Sequence, residues 1–297
     1  MIALSAASFG NGLKMLMRRR SRRFPPDRVA LASYIPRGAS QRRRLSEVAG
    51  ILRGRYSDFA HHNRRNPLDE LLYIICSTQT DEDKYLQTFR GLRKRFPSFD
   101  ALSSARNSTL IGVLRSGGLY RQKARMLRAM FQMITEAFGK LTLAPLKTWS
   151  DSECEAFLRS LPGVGTKVAR CVMMYSLDRQ VFPVDIHCWR IARRLGGLVP
   201  EAAGNKPSNR DMDQLQAKIA PELRFSLHVN FVALGREFCR AKNPLCYECP
   251  LRAICRRIGV EEPSQPGSDT PRRSSLGGRT TRTNKLLLTL RRLPANR

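Results

Sequence analysis

Acidic residues are scarce in this chain: 24 Asp+Glu stand against 53 Lys+Arg in 297 residues, a formal net charge of +29. A surplus that large points to a polyanionic partner, nucleic acid first. A membrane surface is the rival reading, and a general basic bias of the proteome is the bland one. No apolar run reaches spanning length and no basic amphipathic helix dominates, which disfavours the membrane. Sustained strand-period alternation is also missing, and so is any internal repeat, which leaves an all-α protein. The length and the spacing of the eight cysteines argue against a disulfide framework. Cys76, Cys154, Cys171 and Cys188 are scattered through apolar segments and read as core thiols in a reducing compartment.

What is present is helical periodicity. Apolar residues recur at three and four in Leu68–Cys76, Tyr85–Phe96, Met126–Phe138, Cys154–Leu158, Val168–Leu177, Ile186–Leu195 and Phe225–Phe238. Pro97, Gly117-Gly118, Pro145, Pro162, Pro183, Pro200 and Pro221 punctuate them at helix-length intervals. The ends differ. Residues 1–45 carry eleven Lys+Arg and one acid, and the stretch from Asp269 carries eight basic residues and one acid. Segments of that composition build no core, so 1–45 and 259–297 are expected as basic disordered extensions. The first also has the look of a transit peptide, with a solvated tail or a misplaced start as the plainer readings.

Three constellations carry chemistry. Leu161-Pro-Gly-Val-Gly-Thr-Lys167 lies between two apolar helical patterns, giving helix–hairpin–helix spacing over about 151–177. Gly163 and Gly165 can take positive φ and bring backbone N–H groups to an anion, at a helix N-terminus opening near Thr166. Such a unit grips a DNA backbone without reading sequence. Lys167 falls in that first turn, where a cation is disfavoured. It is either solvated or kept partly neutral for chemistry. Asp185, after Pro183, heads Ile186-His187-Cys188-Trp189-Arg190. Asp is among the best N-cap residues, so a purely structural role competes with a catalytic one facing Lys167. His187 alone reads as a packed or capping histidine, and Arg190, Arg193 and Arg194 as phosphate contacts or as a solvated face.

The third is Cys239-x₆-Cys246-x₂-Cys249-x₅-Cys255. Structural zinc usually uses two pairs separated by a longer insert. One compact, singly paired segment better suits a [4Fe–4S] cluster. Arg240, Lys242, Arg252, Arg256 and Arg257 surround these cysteines and can present cations to phosphate.

In this order and spacing the hairpin with Lys167, the Val184-Asp185-x-His187 segment and the four-cysteine loop resemble the endonuclease III branch of the helix–hairpin–helix (HhH-GPD) DNA glycosylases, over roughly residues 46–258. Ser77-Thr-Gln79-Thr and Gly118-Leu-Tyr-x-x-Lys-Ala match further stretches of that branch. The resemblance implies a six-helix barrel (67–179) beside an iron–sulfur domain (46–66 and 180–258), with the hairpin at their junction. It implies Lys167 as nucleophile, Asp185 as essential carboxylate, and Cys239, Cys246, Cys249 and Cys255 as ligands of a structural [4Fe–4S] cluster. Gln79 matches the side chain that enters the gap left by a flipped nucleotide. The DNA face further takes in Gly163, Val164, Gly165, Thr166, His187 and Arg190.

The implied function is a base-excision-repair glycosylase with lyase activity. It acts as a monomer on double-stranded DNA with a damaged or mispaired, pyrimidine, base, at the bacterial nucleoid or in a mitochondrial matrix or nucleus. Lys167 attacks only when neutral, and the helix N-terminus and positive surroundings are expected to lower its pKa. Ile74 stands where adenine-specific relatives carry a catalytic glutamate, which argues against that activity. Thr166 replaces a basic residue usual in the bacterial pyrimidine-lesion enzymes. Ile186 and Cys188-Trp189 alter the segment after Asp185, and the Phe182-Pro183 lead-in resembles the mismatch and 5-methylcytosine branches more closely. The rivals are a non-catalytic iron–sulfur DNA-binding module, whose hallmark would be loss of Lys167 or Asp185, and an iron–sulfur electron carrier.

Overall fold

A computed structural model describes residues 37–61 and 63–261. Among these residues there is no strand. The helices are α1 (Arg37–Tyr56), α2 (Pro67–Ser77), α3 (Glu82–Arg95), α4 (Phe99–Ser103), α5 (Asn107–Leu114), α6 (Tyr120–Phe138), α7 (Asp151–Ser160), α8 (Thr166–Ser176), α9 (Ile186–Leu195), α10 (Asn209–Lys218) and α11 (Pro221–Glu237), with 3₁₀ turns at Arg115–Gly117 and Ala144–Thr148. None of the described helices is long and apolar enough to cross a membrane.

Local signals fix the helix ends. Asn66 caps α2, its side chain accepting from the N–H groups of Leu68 and Asp69, with Pro67 next. Ser150 with Glu153 and Ser208 with Asp211 form capping boxes on α7 and α10. Two hydrophobic clusters result. One lies within α2 to α8, centred on residues such as Leu71, Leu92, Leu127 and Leu158. The other joins α1, α9, α10 and α11 around Leu52, Trp189, Ile191 and Phe231. Each fully buried leucine contributes about 1.5–3 kcal/mol relative to exposure.

Helix α1 begins at Arg37, so residues 37–45, expected as part of the basic extension, are helical. Leu45, Val48 and Leu52 explain this: they form a stripe on α1 that is at most 2% exposed and packs in the second cluster. The rest of that expected extension, 1–36, and the tail from 262 lie outside the described residues.

The chain thus starts in the second cluster, crosses to build the first, and returns through 177–185. The outgoing crossing is tied to α11. The Asp58 carboxylate accepts from Ser226 Oγ at 2.5 Å and Asn230 Nδ2 at 2.9 Å, and Phe59 N–H donates to Asn230 Oδ1 at 3.2 Å. Further along, Arg64 C=O accepts from Ser176 Oγ on α8 at 2.6 Å. These bonds tie the crossing segment to α11 and to the C-terminal end of α8.

Candidate active site

Positions 167, 171 and 175 on α8 are spaced by four and so share one helix face. That face carries Lys167, Cys171 and Tyr175 toward the start of α9, where Asp185 and Cys188 stand, and toward His228 of α11: each of these groups acts electrostatically on others of the set. Glu70, fully buried on α2, closes the other side and also feels Lys167.

Asp185 does both things that its sequence allowed. Its Oδ1 accepts from Cys188 N–H at 2.7 Å, so it caps α9. Burial pushes its carboxyl up, but His228, the Cys188 N–H bond, His187 and Lys167 together hold it below the ordinary aspartate value. It stays a carboxylate at neutral pH. It forms no ion pair with Lys167; the two charges meet across a gap.

The expectation of a depressed Lys167 fails. The thiolate form of Cys171 first, then Asp185 and Cys188, hold the ammonium above the ordinary lysine value, against burial, which pulls the other way. Of these groups Asp185 is the one that carries its charge at neutral pH, and the thiolate of Cys171 adds to it only as pH rises into the range where the lysine itself titrates. Burial in turn pushes the Cys171 thiol up to about 11, so at neutral pH a thiol sits beside the ammonium.

The hairpin is built as its sequence asked at one glycine and not at the other. Gly163 has φ +77°, and a Cβ there would lie 1.9 Å from Met126 Sδ, so a side chain would strain the backbone and displace Met126. Gly165 departs from expectation: at φ −93°, ψ 176° it is extended. It caps α8 without any side-chain bond, which leaves the first amides of that helix open to an anion. Val164 is buried in the first cluster, and Thr166, only 3% exposed, donates through Oγ1 to Asn209 Oδ1 at 2.9 Å. At both positions, expected on the DNA face, the side chain is turned into the protein.

His187 and Arg190, expected on the DNA face, turn inward. Arg190 donates to Cys239 C=O at 2.8 Å, Gly235 C=O at 3.1 Å and His187 Nδ1 at 2.9 Å. His187 is held neutral by burial first, so Nδ1 can accept. It presses so closely on α11 that a Cβ at Gly235 would lie 2.4 Å from it. Arg194 likewise donates to Arg240 C=O at 2.6 Å and to Cys239 Sγ at 3.3 Å. Helix α9 spends these guanidinium groups on the carbonyl ends of α11 and the cysteine loop, where the sequence left only phosphate or solvent as options.

Gln79 is exposed and held at φ +51° in the turn between α2 and α3. The sequence marked the Gly118–Ala124 stretch beside it but gave no role to two of its residues. Leu119 has φ +47° and is 45% exposed, an unusual state for a leucine. Lys123, within the Gly118–Ala124 motif, is buried and bonded to the same turn. Glu70 was also missed. It enters from α2 one turn before Ile74, which is itself 6% exposed and packed in the first cluster.

Cys239, Cys246, Cys249 and Cys255 line one small pocket with Arg194, Arg252 and Arg257 around it. Among the described residues no three His, Cys, Asp or Glu side chains converge as a single-ion site. Four thiols brought to one pocket are a donor set that fits a [4Fe–4S] cluster. Burial first, then the neighbouring cysteines, pushes the Cys249 thiol up to about 11. Such a set is stable as thiolates only around a cationic guest.

Residues 72–217 match the family described as HhH-GPD superfamily base excision DNA repair protein. The chain is 34% identical over 196 residues to an Arabidopsis thaliana protein provisionally described as a DNA glycosylase, spanning 66% of this chain and 63% of that one. It is 27% identical over 206 residues to an endonuclease III of Thermotoga maritima, covering 68% of this chain and 90% of the relative. An endonuclease III solved in a non-covalent complex with DNA shares its fold, with a TM-score of 0.61 at 23% identity over 73% of this chain and 95% of the other. The chain belongs to the HhH-GPD superfamily of base excision DNA repair proteins, as an endonuclease III-like member.

Proposed function

We propose that this protein is a base-excision DNA glycosylase that also cleaves the abasic strand, with Lys167 as nucleophile and Asp185 as the fixed carboxylate beside it. The observation that carries this reading is that Lys167 in the first turn of α8 and Asp185 at the N-cap of α9 come close enough to act on each other electrostatically. The open amides of α8 and the exposed Gly163 and Gly165 take a phosphate. A duplex hides its bases, so the target, a damaged or mispaired pyrimidine, is extruded at a cost of a few kcal/mol. Gln79 enters the vacated space, with the exposed Leu119 beside it.

The raised Lys167 fits a double role. Its ammonium gives a proton to the departing base, and the amine so formed attacks C1′ of the sugar. Asp185 stabilises the cationic sugar, and its own bond to Cys188 N–H keeps it in place. In the resulting adduct the bond from C1′ to the ring oxygen breaks, that oxygen takes a proton, and C1′ and Lys167 are left joined as a Schiff base; on a pre-formed abasic site the same Schiff base arises from the sugar aldehyde with loss of water. Loss of the C2′ proton then expels the 3′ phosphate and nicks the strand. Cys239, Cys246, Cys249 and Cys255 would hold a [4Fe–4S] cluster, which when bound cross-links the loop to itself. With a cysteine at every iron, its contribution is structural, and it fixes Arg240, Lys242, Arg252, Arg256 and Arg257 on the surface.

Borohydride reduction on an abasic-site duplex tests the reading. A covalent protein–DNA adduct is expected with the native chain and none with Lys167→Gln, while duplex affinity stays within about a factor of three. An adduct that survives Lys167→Gln would show that another amine does the chemistry.

A further inference from the structure

Lys123 lies near the start of α6 and is 2% exposed, with no carboxylate bonded to its charge. All three ammonium protons are used: on Cys76 C=O at 2.9 Å, Thr80 Oγ1 at 2.8 Å and Gly117 C=O at 2.8 Å. Thr80 Oγ1 accepts that bond and passes its own proton to Gly117 C=O at 2.6 Å. Burying a lysine among neutral acceptors is expensive, and burial does pull its pKa down. A methionine would fill the same space without that penalty. The lysine therefore has a task beyond filling the core.

Its partners identify the task. Cys76 and Thr80 flank the turn that carries Gln79, and Gly117 ends the 3₁₀ turn that leads into Gly118 and Leu119. Gln79 and Leu119 sit at φ +51° and +47°, states that a residue with a side chain holds only when its surroundings enforce them, while Gly118 at +61° takes the same region freely. Gly117 is pressed so closely on α3 that a Cβ would lie 2.8 Å from Thr88 Oγ1. We infer that Lys123 is a positioning residue for duplex invasion: with Thr80 it clamps the Gln79 and Leu119 turns into one rigid edge that enters the helix stack as the nucleotide leaves. The inference rests on the proposed role of Gln79 and adds the device that presents it.

The test uses the full chain with its iron content checked, in Thr80→Val, Thr80→Ser and Lys123→Met forms. Insertion is read by fluorescence of 2-aminopurine placed beside a tetrahydrofuran abasic analogue in duplex DNA, which requires no bond to form. Borohydride trapping is read in parallel on duplex and on single-stranded abasic DNA. Thr80→Val is expected to lose about tenfold or more in the rate of the fluorescence change and of duplex trapping, with single-strand trapping within about twofold of native. Thr80→Ser, which keeps the hydroxyl, restores both. Lys123→Met shows the larger loss of the same kind if it folds, and the two Thr80 variants decide the matter if it does not. A native fluorescence change in Thr80→Val, no change in the native protein, or equal loss on single and double strands overturns the inference. Absence of any native adduct together with a normal fluorescence change sinks the lyase reading and leaves the clamp standing.

Discussion

Replacing Asp185 by Asn separates the two functions of that residue, because the structure makes them separable. As a cap it needs only an oxygen at 2.7 Å from Cys188 N–H, which Asn supplies equally well. Losing the charge at the N-terminus of α9 removes about 0.3–1 kcal/mol of charge–dipole stabilisation, so unfolding should shift only slightly. As a fixed anion facing the sugar cation, however, its loss should slow single-turnover base release by about 10²–10³, or roughly 2.7–4 kcal/mol. A third possibility acts in the opposite sense. Asp185 helps to hold Lys167 above the ordinary lysine value, so Asn lets that pKa fall and enlarges the neutral amine fraction near pH 8. If Asp185 acted only through Lys167, Asp185→Asn would therefore trap an abasic-site duplex faster. The measurement is the pH dependence of borohydride trapping and of base release for native and variant protein, beside their denaturation curves. Slower turnover with an alkaline limb displaced to lower pH is expected. Unchanged or faster turnover with intact stability would refute direct stabilisation and leave Asp185 as a cap and a modulator.

Purified protein should be brown and hold about four irons per chain, and Cys249→Ala should lose both; stoichiometric zinc without iron would sink the cluster assignment. Duplex affinity in a chain of net charge +29 should fall with salt at a log–log slope of about −5 or steeper, since six or more phosphate contacts are expected, and a nearly flat response would mean that the charge serves something else. Burial holds His228 down at about 4 from its ordinary 6.5. Its neutral form therefore supports the fold fully above pH 6.5, and that support is lost as pH falls toward 4. Between pH 7 and pH 5 the native chain should lose about 2 kcal/mol relative to His228→Gln, and a pH-independent difference between the two would contradict it.

The sequence alone determined what local chemistry determines. Apolar residues at three and four, set off by Pro67, Pro145 and Pro221 and by caps such as Ser150, specify helices whatever they later pack on. The positive φ of Gly163 and the N-cap at Asp185 are likewise short-range facts. The polar helices were harder to read. Only Leu215 of α10 is buried, and α1 carries its apolar stripe among arginines, so neither stands out by composition.

Tertiary structure decided the charges. The pKa of Lys167 depends on Cys171 one turn away, but also on Asp185 and Cys188 from another helix, so no local rule for helix N-termini could give its sign. Arg190 and Arg194 found carbonyls at the end of α11 and in the cysteine loop before any phosphate could claim them, because a folded chain offers acceptors that spacing does not reveal. Lys123 is the sharpest case: its three acceptors lie 47, 43 and 6 residues away and meet only when α2, α6 and the 3₁₀ turn close on one another. Residue type and periodicity carry the helices, whereas the state of a buried charge is set by partners that only the packed fold assembles.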